Sequence, residues 1–303
     1  MSTTRPKKTA VITGAGGGLG SCFSKRLAAE QYDLLLVDHP SQSLDDSVKQ
    51  LRDEFGVDVE SVSADLTLHE DVAELADHLA ARDDIELLVN NAGFGHTQYF
   101  VDMDANDHLN MIRVHVMATV HLSRAVLPQM IDRDAGAIVN VSSLCAWTPC
   151  AGVVQYSATK SYLVSLSKAI QDELRDTQVR VQALCPGFVK TGFFTKERMQ
   201  SFDRTRVPRI LWVTPDDVVD FSIKRLASRK VVAVPGGVLC RILGRLMQIP
   251  IVQPIVQRFA RQAKKAPVES ARVAKEENHC SSTERSSTER STERSSTECS
   301  STE

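Results

Sequence analysis

The amino-acid sequence predicts an α/β protein built on a doubly wound parallel sheet of about seven strands. Short aliphatic runs alternate with longer segments of helical periodicity between residues 9 and 234. Within each short run the residues are nearly all apolar, which is typical of parallel strands covered by helices on both faces. The sequence contains no internal repeat, and no apolar stretch approaches the ~20 residues needed to cross a membrane.

The individual elements follow in order along the chain. Strands are predicted at 9–13, 33–38, 58–64, 87–90, 137–142, 179–185 and 231–234. Helices are predicted at 18–30, 44–55, 69–82, 104–131, 156–176 and 215–229. The last helix has a clear start, because Thr214 offers a capping hydroxyl and Pro215 suits the first helical position. Residues 1–235 are therefore predicted to form one nucleotide-binding domain that also holds the active site.

The C-terminal part of the chain differs in composition. Residues 236–268 are predicted to form a basic amphipathic helical extension, and the Ser/Thr/Glu-rich residues 269–303 a disordered low-complexity tail. Residues 229–265 contain eight Lys or Arg and no Asp or Glu. We favour a cap over the substrate pocket or a dimer contact for the extension. Peripheral membrane contact through 236–265 is the alternative, since basic amphipathic segments can lie on anionic lipid surfaces.

Composition excludes several classes of protein. A net charge of −2 is too balanced for a nucleic-acid-binding protein. The seven cysteines are scattered and form no Cys-x-x-Cys pair, so we expect neither a disulfide framework nor a metal site. The apolar run near the N-terminus is broken by glycines and is too short for a signal peptide, so we expect a cytoplasmic protein.

The stretch "VQYSATK" at 154–160 places Tyr156 four residues before Lys160, on one face of the predicted helix. There the lysine ammonium would favour the phenolate and bring the tyrosine pKa toward neutrality, as an acid/base catalyst requires. A Tyr/Lys pair on a solvated helix face is the alternative interpretation.

A second motif, "TGAGGGLG", runs from Thr13 to Gly20 and joins the first strand to the first helix. Glycines there allow a tight turn and close approach of a pyrophosphate to the backbone amides of the helix N-terminus. A glycine-rich turn without a ligand is the alternative.

Five motifs in register resemble those of the short-chain dehydrogenase/reductase family, in its single-domain branch. They are TGxxxGxG at 13–20, "NNAG" at 90–93, a serine thirteen residues before the tyrosine at 143, "YSATK" at 156–160 and "PGFVKT" at 186–191. The resemblance covers about residues 8–235. It implies a Rossmann-type fold, a nicotinamide cofactor and an oxidoreductase that interconverts a secondary alcohol and a ketone.

The resemblance also implies catalytic roles. Tyr156 would be the general acid in reduction and the base in oxidation, Ser143 would hold the substrate oxygen, and Lys160 would bond the nicotinamide ribose. In "RVHVMAT", His115 replaces the asparagine that is usual in the family. We expect His115 to hold a water that relays protons to the lysine; an ordinary helix histidine without a role is the alternative.

The cofactor contacts implied by the resemblance involve many further residues. They are Thr13, Gly14, Gly18, Leu19, Gly20, Asp38, Asp65, Leu66, Asn91, Ala92, Gly93, Pro186, Gly187, Val189 and Thr191, together with Tyr156 and Lys160. Asp38 ends the second strand, where a carboxylate can bond a ribose 2′-hydroxyl and would repel a 2′-phosphate, so we favour NAD over NADP. Each of these contacts has a structural alternative. Asp38 would only cap its strand, Asp65 would be the N-cap of the next helix, and residues 90–93 would stabilise the central strand.

The substrate side is predicted to be aromatic. The residues expected there are Phe94, Trp147, Phe188, Phe193 and Phe194. They favour a small hydrophobic carbonyl or alcohol (lipid-like, acyl or alicyclic), unless several of them only pack beneath a flexible lid. A catalytically idle nucleotide-binding sensor or scaffold is the rival function, and a homo-oligomer is expected by analogy with the family.

Overall fold

The computed structural model describes residues 8–39, 42–149, 151–195, 197–199 and 203–237, with the single positions 240, 242, 244, 246 and 249. Most of the predicted extension and the entire predicted tail lie outside these residues, so both stay predictions. Within the described residues, no helix is long and apolar enough to span a bilayer.

The centre of the domain is a parallel sheet of seven strands in the order β3-β2-β1-β4-β5-β6-β9. Its strands are β1 (Thr9–Thr13), β2 (Asp33–Asp38), β3 (Val59–Ser63), β4 (Ile85–Asn90), β5 (Ala137–Val141), β6 (Arg180–Leu184) and β9 (Val232–Ala233). A separate two-stranded sheet pairs β7 (Phe188–Val189) with β8 (Trp212–Val213). The predicted doubly wound fold is confirmed, and among the strands of the described residues the sequence prediction missed the short pair β7 and β8.

Helices cover both faces of the large sheet. They are α1 (Gly18–Ala29), α2 (Gln42–Phe55), α3 (His69–Ala80), α4 (Ala105–Ile112), α5 (Thr119–Asp132), α6 (Val154–Glu173) and α7 (Pro215–Leu226). The single helix predicted at 104–131 is interrupted by a π-helical segment, Arg113–Ala118, which contains His115. Such π-helical turns occur frequently at functional sites.

The strands are buried on both faces, as their apolar composition predicts. On one face, Ala10 and Ile12 of β1 join a core cluster with Phe23 of α1. On the other face, Val11 joins a second cluster with Leu122 of α5. All three β1 side chains are fully buried, so β1 is a rigid support for the turn that follows it.

A chain of buried polar side chains connects the central strands to two helices. The side-chain amide of Asn90 donates to the hydroxyl of Ser123, at 3.1 Å, and to the side-chain oxygen of Asn140, at 2.9 Å. Asn140 in turn donates to the hydroxyl of Ser167, at 2.9 Å. This network ties β4 and β5 to α5 and α6, and it supports the structural alternative for Asn90.

Candidate active site

The ends of β1 and β4 are joined by side-chain hydrogen bonds. The Thr13 hydroxyl accepts from the backbone amides of Asn91 and Ala92, both at 3.0 Å. The side-chain amide of Asn91 donates to the backbone oxygens of Thr13 and Gly14, at 2.9 and 3.1 Å. The polar groups of Thr13 and Asn91 therefore hold the two strand ends together and shape the turn above them.

The glycine turn has a geometry that only glycine permits at two positions. Gly14 has a φ of +66°, and a Cβ on it would lie 2.9 Å from Cα of Ala92. A Cβ on Gly20 would overlap the carbonyl oxygen of Gly14. Helix α1 begins after Gly17 without any side-chain cap, so its first amides are available to an anion. The turn therefore fits the pyrophosphate of a dinucleotide.

Asp38 lies next to this turn at the end of β2. Its carboxylate accepts from the backbone amides of Gly16, at 2.6 Å, and of His39, at 2.8 Å. Each carboxylate oxygen keeps a further lone pair, so Asp38 can still accept from ribose hydroxyls.

Asp65, after β3, forms a local turn and does not cap α3. It accepts from the backbone amide and the hydroxyl of Thr67, at 2.8 and 2.7 Å, whereas the N-cap of α3 is Leu68. Burial alone would raise the pKa of Asp65, but the bonds from Thr67 and the nearby His39 lower it overall. The N-cap alternative for Asp65 is therefore wrong. Leu66 beside it is buried in the core.

The segment after β6 returns to the glycine turn. A Cβ on Gly18 would lie 3.9 Å from the side chain of Thr191, so the two are neighbours. The carbonyl of Pro186 accepts from the amide of Leu144 at 3.0 Å, close to Gly187. Leu19 and Val189 pack against the same core cluster. The structure thus brings the last predicted motif to the same edge of the sheet as the first.

Ser143, Tyr156 and Lys160 meet where β5 faces the start of α6. The hydroxyl of Ser142 donates to the backbone oxygen of Lys160 at 2.7 Å, which fixes α6 against β5. Ser143 is buried, and its side chain lies beside Tyr156, where it acts to lower the pKa of the phenol. The two adjacent serines therefore have different neighbours, since Ser142 bonds the backbone of α6 and Ser143 lies beside Tyr156.

The electrostatics of this group differ from the expectation that Lys160 lowers the tyrosine pKa. Burial raises the pKa of Tyr156 above its usual value of 10.0, although the nearby Ser143 side chain acts in the opposite direction. Burial also lowers the pKa of Lys160 to about 8. The Lys160 ammonium lies 5.6 Å from the centre of the tyrosine ring and donates to the carbonyl of Val141 at 2.9 Å. The cost of removing both groups from water therefore outweighs their mutual attraction.

His115 has both ring nitrogens engaged by protein groups. Nε2 accepts from the amide of Phe94 at 3.1 Å, so the proton of the neutral ring is on Nδ1, which bonds the Thr159 hydroxyl at 2.9 Å. Burial, and then the charge of Lys160, hold the pKa of His115 well below its usual value. Each ring nitrogen has a single bonding site, so the expectation that His115 holds a relay water is wrong. His115 instead ties the segment after β4 to α6.

Gly93 shows how closely His115 approaches that segment. A Cβ on Gly93 would lie 2.6 Å from Nε2 of His115 and 3.5 Å from the Lys160 ammonium. The glycine is therefore required for the histidine to reach the amide of Phe94, and no pattern in the sequence indicated this contact.

Aromatic rings surround Tyr156 on its open side. The ring of Phe193 is centred 6.0 Å from that of Tyr156, and Phe194 stacks edge-on at 5.2 Å from Phe193. Trp212, which the sequence prediction missed, lies 5.4 Å from Phe194 and 5.6 Å from Phe188. Trp147 packs instead against a separate core cluster. Phe94 lies under the guanidinium of Arg198, at 4.7 Å.

Arg198 also connects the two segments that frame the substrate side. Its guanidinium lies 3.2 Å from the carboxylate of Asp107, and its backbone oxygen accepts from the amide of Thr97 at 3.0 Å. The same carboxylate lies 3.5 Å from Nε2 of the buried His96. Sequence reasoning missed all three side chains, because their partners are far away in the chain.

Comparison with known proteins agrees with this geometry. A family model described as short chain dehydrogenase matches residues 8–201. The uncharacterized oxidoreductase YmfI of Bacillus subtilis is 32% identical over 244 residues, which are 77% of this chain and 99% of the relative. The very-long-chain 3-oxoacyl-CoA reductase of Macaca fascicularis is 29% identical over 219 residues, 71% of this chain and 67% of the reductase.

Solved structures of similar fold include two that contain a nicotinamide nucleotide. A short-chain dehydrogenase from Sphingobium yanoikuyae with NADPH has a TM-score of 0.72 and 30% identity, covering 86% of this chain and 98% of that one. A short-chain dehydrogenase/reductase from Burkholderia phymatum with NAD has a TM-score of 0.69 and 29% identity, covering 79% of this chain and 92% of that one. The bulky-bulky ketone specific alcohol dehydrogenase from Comamonas testosteroni has a TM-score of 0.69 and 25% identity, covering 88% and 99%. Because the family model matches residues 8–201, well over half of the chain, the chain belongs to the short-chain dehydrogenase family of NAD(P)-binding oxidoreductases.

Proposed function

We propose that this protein interconverts a hydrophobic ketone and its secondary alcohol, with Tyr156 as the general acid and base. The observation that supports this most directly is that Ser143 and Tyr156 lie together beside the buried Lys160, whose ammonium is 5.6 Å from the centre of the tyrosine ring. A nicotinamide nucleotide bound over the glycine turn would supply or accept the hydride.

The protein side chains then handle the proton. In reduction, negative charge develops on the carbonyl oxygen, and Tyr156 donates a proton to it while Ser143 holds it by a hydrogen bond. The raised pKa of Tyr156 keeps the phenol protonated at neutral pH, which suits an acid. Lys160, with its pKa near 8, stays mostly protonated at pH 7 and can bond the ribose hydroxyls.

We favour NAD as the cofactor because Asp38 ends β2 beside the turn. Its carboxylate is fixed by the amides of Gly16 and His39 and would meet the adenosine ribose. The solved relatives include one with NADPH and one with NAD, so they support a nicotinamide nucleotide of either kind.

The proposed substrate is lipid-like, acyl or alicyclic. The aromatic rings of Phe188, Phe193, Phe194 and Trp212 support this. Each contacts another ring of the group, and Phe193 contacts Tyr156. The names of two relatives, a 3-oxoacyl-CoA reductase and a bulky-ketone alcohol dehydrogenase, point to the same chemical class.

The proposal is tested with purified protein, NADH or NADPH, and a panel of hydrophobic ketones and alcohols. We expect turnover, and Tyr156→Phe should lower kcat about 10²- to 10⁴-fold with cofactor affinity retained. Ser142→Ala is not a suitable control, because Ser142 anchors α6. His78→Gln is the suitable control, since His78 lies on α3 and pairs with Glu60, away from the site. Cofactor binding without turnover of any compound would favour the idle sensor or scaffold.

The proposed partners are a second copy of this chain and, as an alternative, a membrane surface. The exposed apolar side chains of Leu109, Met117 and Val120 near the π-helical segment are consistent with a homo-oligomer, which light scattering would detect or exclude. For the predicted extension, deletion of 238–265 separates the alternatives: loss of turnover indicates a cap, whereas loss of vesicle binding alone indicates peripheral membrane contact.

A further inference from the structure

The first turns of the predicted extension lie against the wall of the active site. The described start of the extension is helical, and Cys240 and Gly244, one turn apart, are buried there. A Cβ on Gly244 would lie 3.0 Å from Cγ1 of Val234 and 3.2 Å from Cδ2 of Leu144. Leu144 directly follows Ser143 in the sequence, so the inner face of this helix packs on the neighbour of a proposed catalytic side chain.

The opposite face of the same helix carries exposed apolar side chains. Ile242 is 49% exposed, Leu246 41% and Ile249 44%. Ile242 and Leu246 are one turn apart, and at 3.6 residues per turn they lie about 200° and 240° around the helix from Cys240. The amide of Ile249 donates to the carbonyl of Leu246 at 3.0 Å, so Ile249 follows in the next turn. We call these three exposed side chains the outer stripe.

A further exposed isoleucine lies within three residues of a contact with the extension. Ile210 is 70% exposed and belongs to the short helix Arg209–Leu211, in which Arg209 is also exposed. Val213 of β8 adjoins the extension, because a Cβ on Gly236 would lie 3.1 Å from its Cγ1. Exposed apolar surface is therefore present on the segment before β8 as well as on the extension.

The charge of this region indicates what the outer stripe contacts. Residues 221–265 contain ten Lys or Arg and no Asp or Glu. Arg241 and Arg245 directly precede Ile242 and Leu246 in the sequence. Exposed apolar side chains in a purely cationic segment are typical of helices that lie in the interface of an anionic bilayer. There the lipid tails cover the apolar side chains, and the headgroups attract the cations.

A second copy of the chain is a poorer match for the outer stripe. A two-fold contact brings identical patches together, so it would place two cationic segments side by side with no acidic residue in either. A nucleic acid would supply phosphates, but its charged backbone would leave the isoleucine and leucine side chains exposed to water. An anionic bilayer matches both the charge and the apolar side chains.

We propose that the outer stripe docks on an anionic lipid surface, and that docking brings Ser143 and Tyr156 close to that surface. This inference rests on the proposed function and adds the route by which a hydrophobic ketone reaches the site. The inner face of the helix contacts Leu144, so the lipid surface would lie about 10 Å, one helix diameter, from the wall of the site. A lipid-like substrate would then leave the bilayer beside the site, with little apolar surface exposed to bulk water.

The test measures binding of the full chain to phosphatidylcholine vesicles with and without phosphatidylglycerol, by flotation. We expect at least about 10-fold tighter binding to the anionic vesicles, because several cations at the surface each add to the attraction. Added salt should weaken this binding by screening the charges.

Substitutions on the outer stripe make the test specific. Leu246→Glu should lower the affinity for anionic vesicles about 10- to 100-fold, because it removes an apolar side chain and adds a charge that the headgroups repel. Ile242→Glu, on the same face, should act alike. Ile131→Glu is the matched control, since Ile131 is 42% exposed and lies before the amino end of β5, whereas Leu144 follows its carboxyl end. All three variants should unfold at the parent temperature, because the substituted side chains are exposed.

Kinetics with two kinds of ketone link docking to the site. With a water-soluble ketone and no vesicles, the parent and Leu246→Glu should have equal kcat/KM. With a long-chain ketone held in anionic vesicles, Leu246→Glu should be about 10-fold slower or more, in proportion to its lost binding.

The outcomes separate the docking from the proposed function. Equal binding to neutral and anionic vesicles, or unchanged binding by both Leu246→Glu and Ile242→Glu, would overturn the docking and leave the proposed function intact. A parent dimer that both substitutions convert to a monomer, without vesicle binding, would assign the outer stripe to a second copy and also overturn the docking. Vesicle binding that both substitutions abolish, without turnover of any ketone, would support the docking and overturn the proposed function.

Discussion

The site lies at the carboxyl ends of the parallel strands and has two halves, which are held together by different kinds of contact. The cofactor half, from β1 through α1 to Asp38, is held by bonds between backbone groups and a few short side chains, such as the bond from the amide of Gly16 to Asp38. The substrate half, from Phe94 to Asp107 and from Thr191 to Trp212, is held by long side chains distant in the chain, such as Arg198 on Asp107.

This difference shows why one half tolerates little change and the other can be adapted. The backbone turn fits one ligand group, the pyrophosphate, because Gly14 is required by its dihedral angle and Gly20 by a clash. The substrate half presents rings and imidazoles whose identity can change without moving the sheet. Loops on a rigid support are where specificity is usually set.

The largest effect is expected from a substitution that destabilises the cofactor half. Gly20→Ala places a Cβ against the carbonyl of Gly14, and neither backbone can move without distorting β1. We expect a loss of stability of at least about 3 kcal/mol, or no folded protein. Thermal unfolding measures it, with Gly17→Ala as the matched control, because a Cβ on Gly17 would meet nothing within 4 Å and its φ is −175°. Equal unfolding temperatures for the two variants would contradict the clash.

A second change alters the cofactor half without destroying it. Asp38→Ala together with His39→Arg removes the carboxylate that would repel a 2′-phosphate and adds a cation that would bond it. We expect the ratio of kcat/KM for NADP to that for NAD to rise at least about 30-fold, because each effect is worth about 1–3 kcal/mol and the two together about 2–6 kcal/mol. The single variant His39→Arg should give part of this shift. An unchanged ratio would contradict the assignment of Asp38 to the ribose.

In the substrate half, Arg198→Ala should loosen the segment that carries Phe193. It removes an ion pair with Asp107 and a stacking contact on Phe94, together worth about 1–2 kcal/mol. We expect KM for the ketone to rise about 10-fold while the affinity for the cofactor is unchanged, which would show that the halves are separable. Arg198→Lys keeps the charge without the planar stacking and should lie in between. A parallel loss of cofactor affinity would show that they are coupled.

His115 links the two halves. Of the four changes, the substitution of His115 should have the smallest effect at neutral pH. Because its pKa is depressed in the folded state, the unfolded chain takes up a proton below pH 6.5 that the folded chain refuses. Stability should therefore fall as the pH drops below about 6.5, by up to about 1.4 kcal/mol per pH unit until the folded pKa is reached. His115→Gln keeps an acceptor for Phe94 but does not titrate, so its urea unfolding should show a shallower pH dependence than the parent. Parallel curves for the two proteins would mean that the burial of His115 does not matter.

The sequence by itself determined the sheet, the helices and the positions of the chemical groups. Apolar runs and their spacing were enough for the seven strands, and local motifs predicted Ser143, Tyr156 and Lys160 as the catalytic group. These features depend on neighbours within a few residues or on periodicity, which a sequence records directly.

Only the tertiary structure decided how these groups behave. Burial reversed the expected direction of the Tyr156 pKa, and contacts with Phe94 and Thr159 gave His115 a tethering role in place of a water-holding one. Desolvation and hydrogen-bond saturation depend on every group that surrounds an atom in space, and spacing along the chain does not contain that information.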